Sequence, residues 1–326
     1  MRAIEDLCIV LTARMSSERL PSKVMAVVEG KPLAYWIVRR LQNAGQVVIA
    51  TTDKKDDTPL VALGQAMNVP VYCGDKDDVI SRMDQAMKKF YPAAKYVMRG
   101  IGDCPFHAPE LIVRACQVTR TYSGDMLVWA LAPYVLPVYG SREFPYSRTA
   151  WDMVVKESTE REHVDAFWNT HRERFQVVYH EPPPSAYFRP YRLEVDWPED
   201  LELVRIIAKH LPTLDVVTVP SVNKWLSQHE KLIPNRDRVE ITGPSRYDYD
   251  IQRQWLKLMQ NQPIVRWDGS VWQPPSKDAV PIFCSGGRCL LGFGDHGVLH
   301  TKEAKIAGNA WVKCECGCGL RWTARE

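Results

Sequence analysis

Apolar and polar positions alternate along the first two-thirds of the chain in blocks whose spacing predicts strands and helices in turn. Leu7 to Leu11 is a continuous apolar run, the pattern of a strand buried on both faces. Pro32, Leu33, Tyr35, Trp36, Val38 and Leu41 follow with helical spacing and a proline in the first turn. Val47–Ala50 and Val69–Tyr72 read as further short strands. Val79, Met83, Ala86, Met87 and Phe90 share one helical face, after Asp77 and Asp78, whose charge suits a helix N-terminus. Lys95–Met98 predicts a fourth strand, and Arg99–Pro105 a tight polar turn after it.

Further on, Asp125–Trp129, Tyr134–Tyr139, Phe175–His180 and Arg192–Asp196 read as strands. Helices are expected over Arg148–Ser158, over the charged stretch Thr159–Arg174 and over Pro198–Leu211, with a last one capped by Ser221 and running to Leu226. Residues 181–185 form a proline-rich connector. Strand–helix alternation of this kind predicts an α/β fold with a mixed, mainly parallel sheet covered on both sides. In such sheets ligands sit beyond the carboxyl ends of the strands, so the loops after Leu11 and Met98 belong to one candidate site.

The pattern loosens into charge, glycine and proline around Pro234–Tyr249. The expected organisation is therefore a domain over residues 1–238 and a smaller C-terminal region over 239–326. That region holds a helix marked by Ile251, Trp255, Leu258 and Met259, then a hairpin over Val265–Trp272 with an Asp-Gly turn.

Composition narrows the class. The 326 residues are 45% hydrophobic and 25% charged, a globular balance that excludes a disordered tail, a collagen-like fibre or a coiled-coil rod. A net charge of +3 gives no general field for polyanions, so no specific nucleic-acid partner is expected. No stretch approaches the about 20 apolar residues of a membrane span. The expectation is a soluble, cytoplasmic protein.

The loop after the first strand reads Ala13-Arg14-Met15-Ser16-Ser17-Glu18-Arg19-Leu20-Pro21-Ser22-Lys23. Guanidinium and ammonium groups complement phosphate in sign and geometry, so such a loop suits a triphosphate. It lacks the Gly-x-x-x-x-Gly-Lys pattern of a P-loop. Extended to Val24-Met25, this segment resembles the N-terminal signature of the CMP-sugar synthetases, nearest to the spore-coat-polysaccharide type and related to the enzymes that activate ketodeoxyoctulosonate and sialic acid. Ala50-Thr51-Thr52-Asp53, Gly102-Asp103-Cys104-Pro105, Arg161-Glu162-His163-Val164 and Arg192 through Leu201 fit in the same order. The resemblance spans roughly residues 5–235.

The resemblance implies a three-layer, Rossmann-like (GT-A-like) nucleotidyltransferase fold, using CTP and Mg²⁺ to activate a sugar or sugar acid with release of pyrophosphate. It assigns Arg14, Ser17, Arg19 and Lys23 to the triphosphate and Asp103 and Asp196 to magnesium. It makes Arg14, Lys23, Asp103 and Asp196 the catalytic set, with Asp103 also touching nucleotide, and implies a homo-oligomer. Hard carboxylate oxygens suit magnesium, which commonly takes one or two of them beside phosphate oxygens. Arg161, Glu162 and His163 are expected near the sugar or at a subunit contact, pointing in different directions if helical. The family's usual glycines are replaced by Ser16 and Ser22, and Ile101 stands where a small polar residue is usual before the Gly-Asp pair. Two rivals follow from the same residues: another nucleotidyltransferase or glycosyltransferase on the scaffold, and a non-catalytic nucleotide-binding adaptor.

Five of nine cysteines crowd the last 43 residues: Cys284, Cys289, Cys314, Cys316 and Cys318. Such clustering predicts a structural Zn²⁺ in a small zinc-ribbon-like module, with Cys284, Cys289, Cys314 and Cys316 as ligands and Cys318 as the leading substitute. His296 and His300 are weaker candidates, and free thiols are the alternative. The module is expected to serve a protein contact or oligomerisation.

Overall fold

The computed structural model describes residues 2–129, 145–181, 191–236, 262–283, 290–295, 298–301, 305–307, 310–312 and 320–322. The chain separates into two compact units, one of Met1–Leu127, Val138–Val177 and Tyr191–Val239, the other of the remaining segments.

The first unit is built on strands β1 (Ile4–Thr12), β2 (Val27–Val28), β3 (Lys31–Pro32), β4 (Gly45–Thr52), β5 (Val71–Gly74), β6 (Tyr96–Ile101), β7 (Met126–Trp129) and β8 (Tyr146–Ser147). Its helices are α1 (Leu33–Gln42), α2 (Thr58–Met67), α3 (Val79–Phe90), α4 (Pro109–Thr121), α5 (Arg148–Glu157), α6 (Ala166–Thr170), α7 (Pro198–His210) and α8 (Val219–Gln228). The sheet runs β7-β8-β6-β1-β4-β5, while β2 and β3 form a separate small hairpin. Pairings of β1 with β4 and β6, and of β4 with β5, are parallel; β8 is antiparallel to both β6 and β7. Leu7 to Leu11 are all fully buried. Successive strand residues face opposite sides, so both faces are covered by helices, as a three-layer α/β fold requires.

Register brings two loops together. Thr12 at the end of β1 lies opposite Ala50 of β4 and Ile101 of β6. The Gly102 amide donates to the Thr12 carbonyl at 3.0 Å, and the Ala13 amide to the Ala50 carbonyl at 3.3 Å. A Cβ on Gly102 would sit 2.9 Å from the Ala13 Cβ and 3.0 Å from the Thr12 carbonyl oxygen. Glycine there permits a backbone contact that any side chain would push apart.

Local signals explain most elements. Asp78 caps α3 by accepting from the Ser81 amide, and α2 stops at Asn68, in the left-handed conformation at φ 52°. Three expectations are corrected. Thr159–Arg174 is not one helix: only Ala166–Thr170 is α-helical, with a 3₁₀ turn at Arg172–Arg174. The Arg161 carbonyl accepts from the Ile80 amide, while the Glu162 and His163 amides donate to Glu160 Oε1, which withdraws those groups from a helical ladder. Arg192–Asp196 is not a regular strand, because the Val195 amide goes to the Asp103 carbonyl and the Asp196 amide to Asp200 Oδ2. The cap of α8 is Thr218, which accepts from the Ser221 amide.

In the second unit β9 (Val177–His180) pairs in parallel with β10 (Ile264–Val265), which forms a hairpin with β11 (Val271–Trp272). Gly269 of the expected Asp-Gly turn takes φ +90°. Strands β12 (Val280–Phe283), β13 (Leu290–Asp295), β14 (Val298–Thr301) and β15 (Lys305–Ala307) form an antiparallel meander, and β16 (Ala310–Val312) pairs with β17 (Leu320–Trp322). The expected strand Tyr134–Tyr139, most of the 181–185 connector, the helix around Ile251–Met259, the five clustered cysteines and His296 lie outside the described residues. His300 lies on β14. Among the described residues no group of three or more His, Cys, Asp or Glu is placed to hold a metal ion, and no helix is long and apolar enough to cross a membrane.

Candidate active site

The loop after β1 folds back on itself. The Ser22 amide donates to the Met15 carbonyl at 2.9 Å, and the Ser17 hydroxyl accepts from the Leu20 amide at 3.4 Å. Ser22 sits at φ 59°, a conformation that favours glycine, so serine holds the glycine backbone geometry at that position. Asp57, buried just before α2, ties the loop to the end of β4. It accepts from the Met15 amide at 2.7 Å, and from the Thr51 hydroxyl, the Thr52 amide and the Thr52 hydroxyl. Burial opposes ionisation of this carboxyl, but the donors from Thr52, Met15 and Thr51 hold it below its ordinary value of 3.8.

The fold of the loop carries Lys23 inward. Its Nζ lies 2.7 Å from Asp103 Oδ2 and 2.9 Å from Asp196 Oδ1, with the lysine side chain only 9% exposed. Arg19 reaches the same Asp196 Oδ1 at 2.6 Å, and its guanidinium lies 6.0 Å from the centre of the Trp197 ring. Arg192 bonds Asp196 Oδ2 and stands 3.5 Å from Asp200 Oδ2 and 3.6 Å from Glu194. Burial disfavours the Arg192 charge, but Glu194, Asp200 and Asp196 hold it more firmly than usual. Asp200, fully buried at the start of α7, accepts from the Asp196 and Trp197 amides, each at 2.9 Å, and from Asn235 Nδ2 at 2.8 Å. Asp196 is thereby fixed from both sides, while Asp103 stays part-exposed.

The two carboxylates have oxygens converging on one cationic atom. That fits a hard divalent cation, for which two carboxylates plus phosphate oxygens are a common donor set. Asp103, Asp196 and Lys23 would hold or neighbour such an ion.

A second group of arginines lies on the β1–α3 side. Arg14 is half-buried, 3.8 Å from Glu162 Oε1. Arg99 donates to the Thr12 hydroxyl at 3.1 Å and to the Glu162 carbonyl at 3.3 Å. Arg82 is buried, bonds the Asp75 and Lys76 carbonyls through Nη1, and has an Nε with no hydrogen-bond partner. Burial first, then the charges of Arg99 and Arg14, pull its proton affinity down. Of the 161–163 segment, Arg161 turns to Asp78 and to the Val155 and Ser158 carbonyls, and exposed His163 faces Glu160 at 3.6 Å. Glu162 alone of the three meets a residue of the first loop, Arg14.

Arg14, Arg19, Lys23, Asp103 and Asp196 are thus brought to the ends of β1 and β6, and Ser17 is engaged in shaping the loop. Sequence reasoning did not single out Asp57, Arg82, Arg99, Arg192 or Asp200. The signal for Arg192 and Asp200 was present: each lies four residues from Asp196. Nothing local marks Asp57 or Arg82, whose partners lie in other elements or in loop carbonyls.

Residues 7–211 match the profile of a family described as cytidylyltransferase. An uncharacterized protein of Methanocaldococcus jannaschii is 28% identical over 212 residues, covering 64% of this chain and 85% of that one. The spore coat polysaccharide biosynthesis protein SpsF of Bacillus subtilis is 27% identical over 214 residues, covering 63% of this chain and 87% of its own. The 3-deoxy-manno-octulosonate cytidylyltransferase of Tolumonas auensis is 29% identical over 127 residues, 38% of this chain and 49% of that enzyme. Among solved structures, a cytidylyltransferase from Leptospira borgpetersenii serovar Hardjo-bovis superposes with a TM-score of 0.63 at 20% identity, covering 71% of this chain and 98% of that one, a likeness of fold.

Proposed function

The chain belongs to the cytidylyltransferase family, and we propose that it transfers CMP from CTP to a hydroxyl of a sugar or sugar acid. In this reading the acceptor hydroxyl oxygen attacks the α-phosphorus and its proton passes to solvent, while the bond to the α,β-bridging oxygen breaks and pyrophosphate leaves with that electron pair. The observation that carries the reading is the meeting of Lys23, Arg19, Asp103 and Asp196 at the ends of parallel strands.

Such chemistry depends on positioning and on neutralising charge. Arg14, Arg19 and Lys23 would bind the triphosphate oxygens, and Lys23 would steady the departing pyrophosphate. Asp103 and Asp196 would hold Mg²⁺, which bound there would supply charge neutralisation across the phosphates. Asp57 keeps the loop at the end of β4, and Arg192 with Asp200 orients Asp196. The domain division at about residue 238 is retained as part of this reading. So is a zinc-bound C-terminal module, supported by the sequence clustering of its cysteines; one zinc per chain by elemental analysis, lost in Cys314→Ser, tests it.

The decisive experiment mixes the protein with CTP, Mg²⁺ and a panel of sugar acids and sugars, and follows pyrophosphate. Acceptor-dependent release is expected; a glycosyltransferase would release none. Asp103→Asn should lower turnover by about 10²–10³-fold, the scale for losing one transition-state electrostatic group, with an unchanged circular dichroism spectrum. Near-normal turnover would remove Asp103 from the catalytic set.

A further inference from the structure

We propose that Lys23 is a resident counter-ion: its ammonium occupies the divalent-cation position until a triphosphate draws it away, making metal binding conditional on nucleotide. The inference rests on the reading of Asp103 and Asp196 as the cation-holding pair.

Lys23 Nζ contacts both carboxylates, at 2.7 and 2.9 Å, from a nearly buried side chain. A magnesium ion bound to the same oxygens needs them at about 2.0–2.1 Å and cannot share that position with an ammonium group. Without nucleotide, an entering ion would have to expel Lys23 from its two carboxylates. Asp196 Oδ1 also carries Arg19, and its Oδ2 carries Arg192, so both oxygens of Asp196 are engaged by cations.

A triphosphate changes this balance. It offers Lys23 and Arg19 new anionic partners and leaves Oδ1 of Asp196 and Oδ2 of Asp103 open. The two residues differ from Arg192 in ways that suit the exchange. Lys23 has a flexible stem with three rotatable donors, and the Arg19 side chain is 53% exposed. Arg192 is only 20% exposed and is held by Asp200 and Glu194 as well, so it stays as the permanent clamp on Asp196. Because coupling between two ligands is reciprocal, metal must then strengthen nucleotide binding by the factor by which nucleotide strengthens metal binding.

The test is a Mn²⁺ titration in the absence of nucleotide, with free Mn²⁺ read by electron paramagnetic resonance. Wild-type protein, Lys23→Met, Asp103→Asn, and Lys23→Met combined with Asp103→Asn are compared. Lys23→Met should bind Mn²⁺ at least tenfold more tightly than wild type, and the double variant should lose that gain. Lys23→Met should also melt lower in chelator and recover with Mg²⁺ but not with Na⁺ at equal ionic strength. If Lys23→Met does not fold in chelator, Lys23→Gln repeats the titration. Equal, Asp103-dependent affinity in wild type and variant would overturn the exchange while leaving the cation site standing. Absence of Asp103-dependent Mn²⁺ binding in every variant, with Mg²⁺-supported pyrophosphate release indifferent to Asp103→Asn, would overturn the cation site itself.

Discussion

Asp57 shows how a residue outside the basic loop fixes where that loop lies. Its buried carboxylate gathers donors from the first loop and the end of β4, so its charge belongs to the folded state. A carboxyl held below its ordinary value stabilises the fold above the unfolded pKa and loses that contribution as pH falls through the folded one. The protein should therefore lose stability below about pH 4, and Asp57→Asn should flatten that acid limb while costing about 2 kcal/mol near neutrality, as expected for hydrogen bonds to a buried charge. Urea melts from pH 3 to pH 7 check both; an unchanged acid limb in the variant would dissociate Asp57 from it. Ser22 gives the opposite case. At φ 59° a serine is strained relative to glycine, whose extra unfolded-state freedom offsets part of the relief. Ser22→Gly should stabilise by about 0.5–1 kcal/mol, measured by the same melts.

At the scale of elements, the strand ends make the site, and Gly102 is where they touch. Its amide bonds Thr12, and a Cβ would press on the Ala13 Cβ and on the Thr12 and Ala13 backbone, none of which can swing away. Gly102→Ala should therefore push β6 from β1 and shift Asp103, lowering pyrophosphate release by about tenfold or more, since misplacement of about 1 Å can cost a hundredfold. If turnover stays within twofold of wild type, the backbone contact does not set the position of Asp103. The same element ends explain what was legible in the sequence. β1 and β4 carry unbroken apolar runs, α1 and α3 carry helical periodicity, and the basic loop follows a recognisably buried strand, so their identities read directly. Arg161–His163 misled because charged residues fit a helix as readily as a loop, and only the tertiary bonds to Asp78 and Ile80 decide between them. In the sequence Arg192–Asp196 reads as a strand that ends on Asp196. Its true support is the N-terminus of α7, through Asp200. Asp57 and Arg82 were not legible because backbone groups, the Met15 amide and the Asp75 and Lys76 carbonyls, are among their partners, and those leave no mark in residue type.

At the scale of the whole molecule, the described carboxylates and cations of the candidate site all fall within the first compact unit, so ligand binding is a statement about that unit's stability. A ligand bound only by the native state stabilises it by about 2.7 kcal/mol at a hundred times its dissociation constant. At about 2–4 °C per kcal/mol for a unit of this size, that is a rise of about 5–10 °C in melting temperature. CTP with Mg²⁺ should give that shift, and UTP, GTP and ATP a smaller one. On the proposed reading, a metal requirement follows from this charge arrangement. With Lys23 and Arg19 drawn onto the triphosphate, Asp103 and Asp196 lose two of their cations, and the repulsion between carboxylates and phosphates falls only when Mg²⁺ replaces them. CTP alone should therefore stabilise much less than CTP with Mg²⁺, and Mg²⁺ alone scarcely at all. A Mg²⁺-dependent, CTP-selective shift would support this site and justify the search for the acceptor. If no nucleotide moves the melt and no acceptor gives pyrophosphate release, an adaptor that works through a protein contact becomes the better reading of the chain.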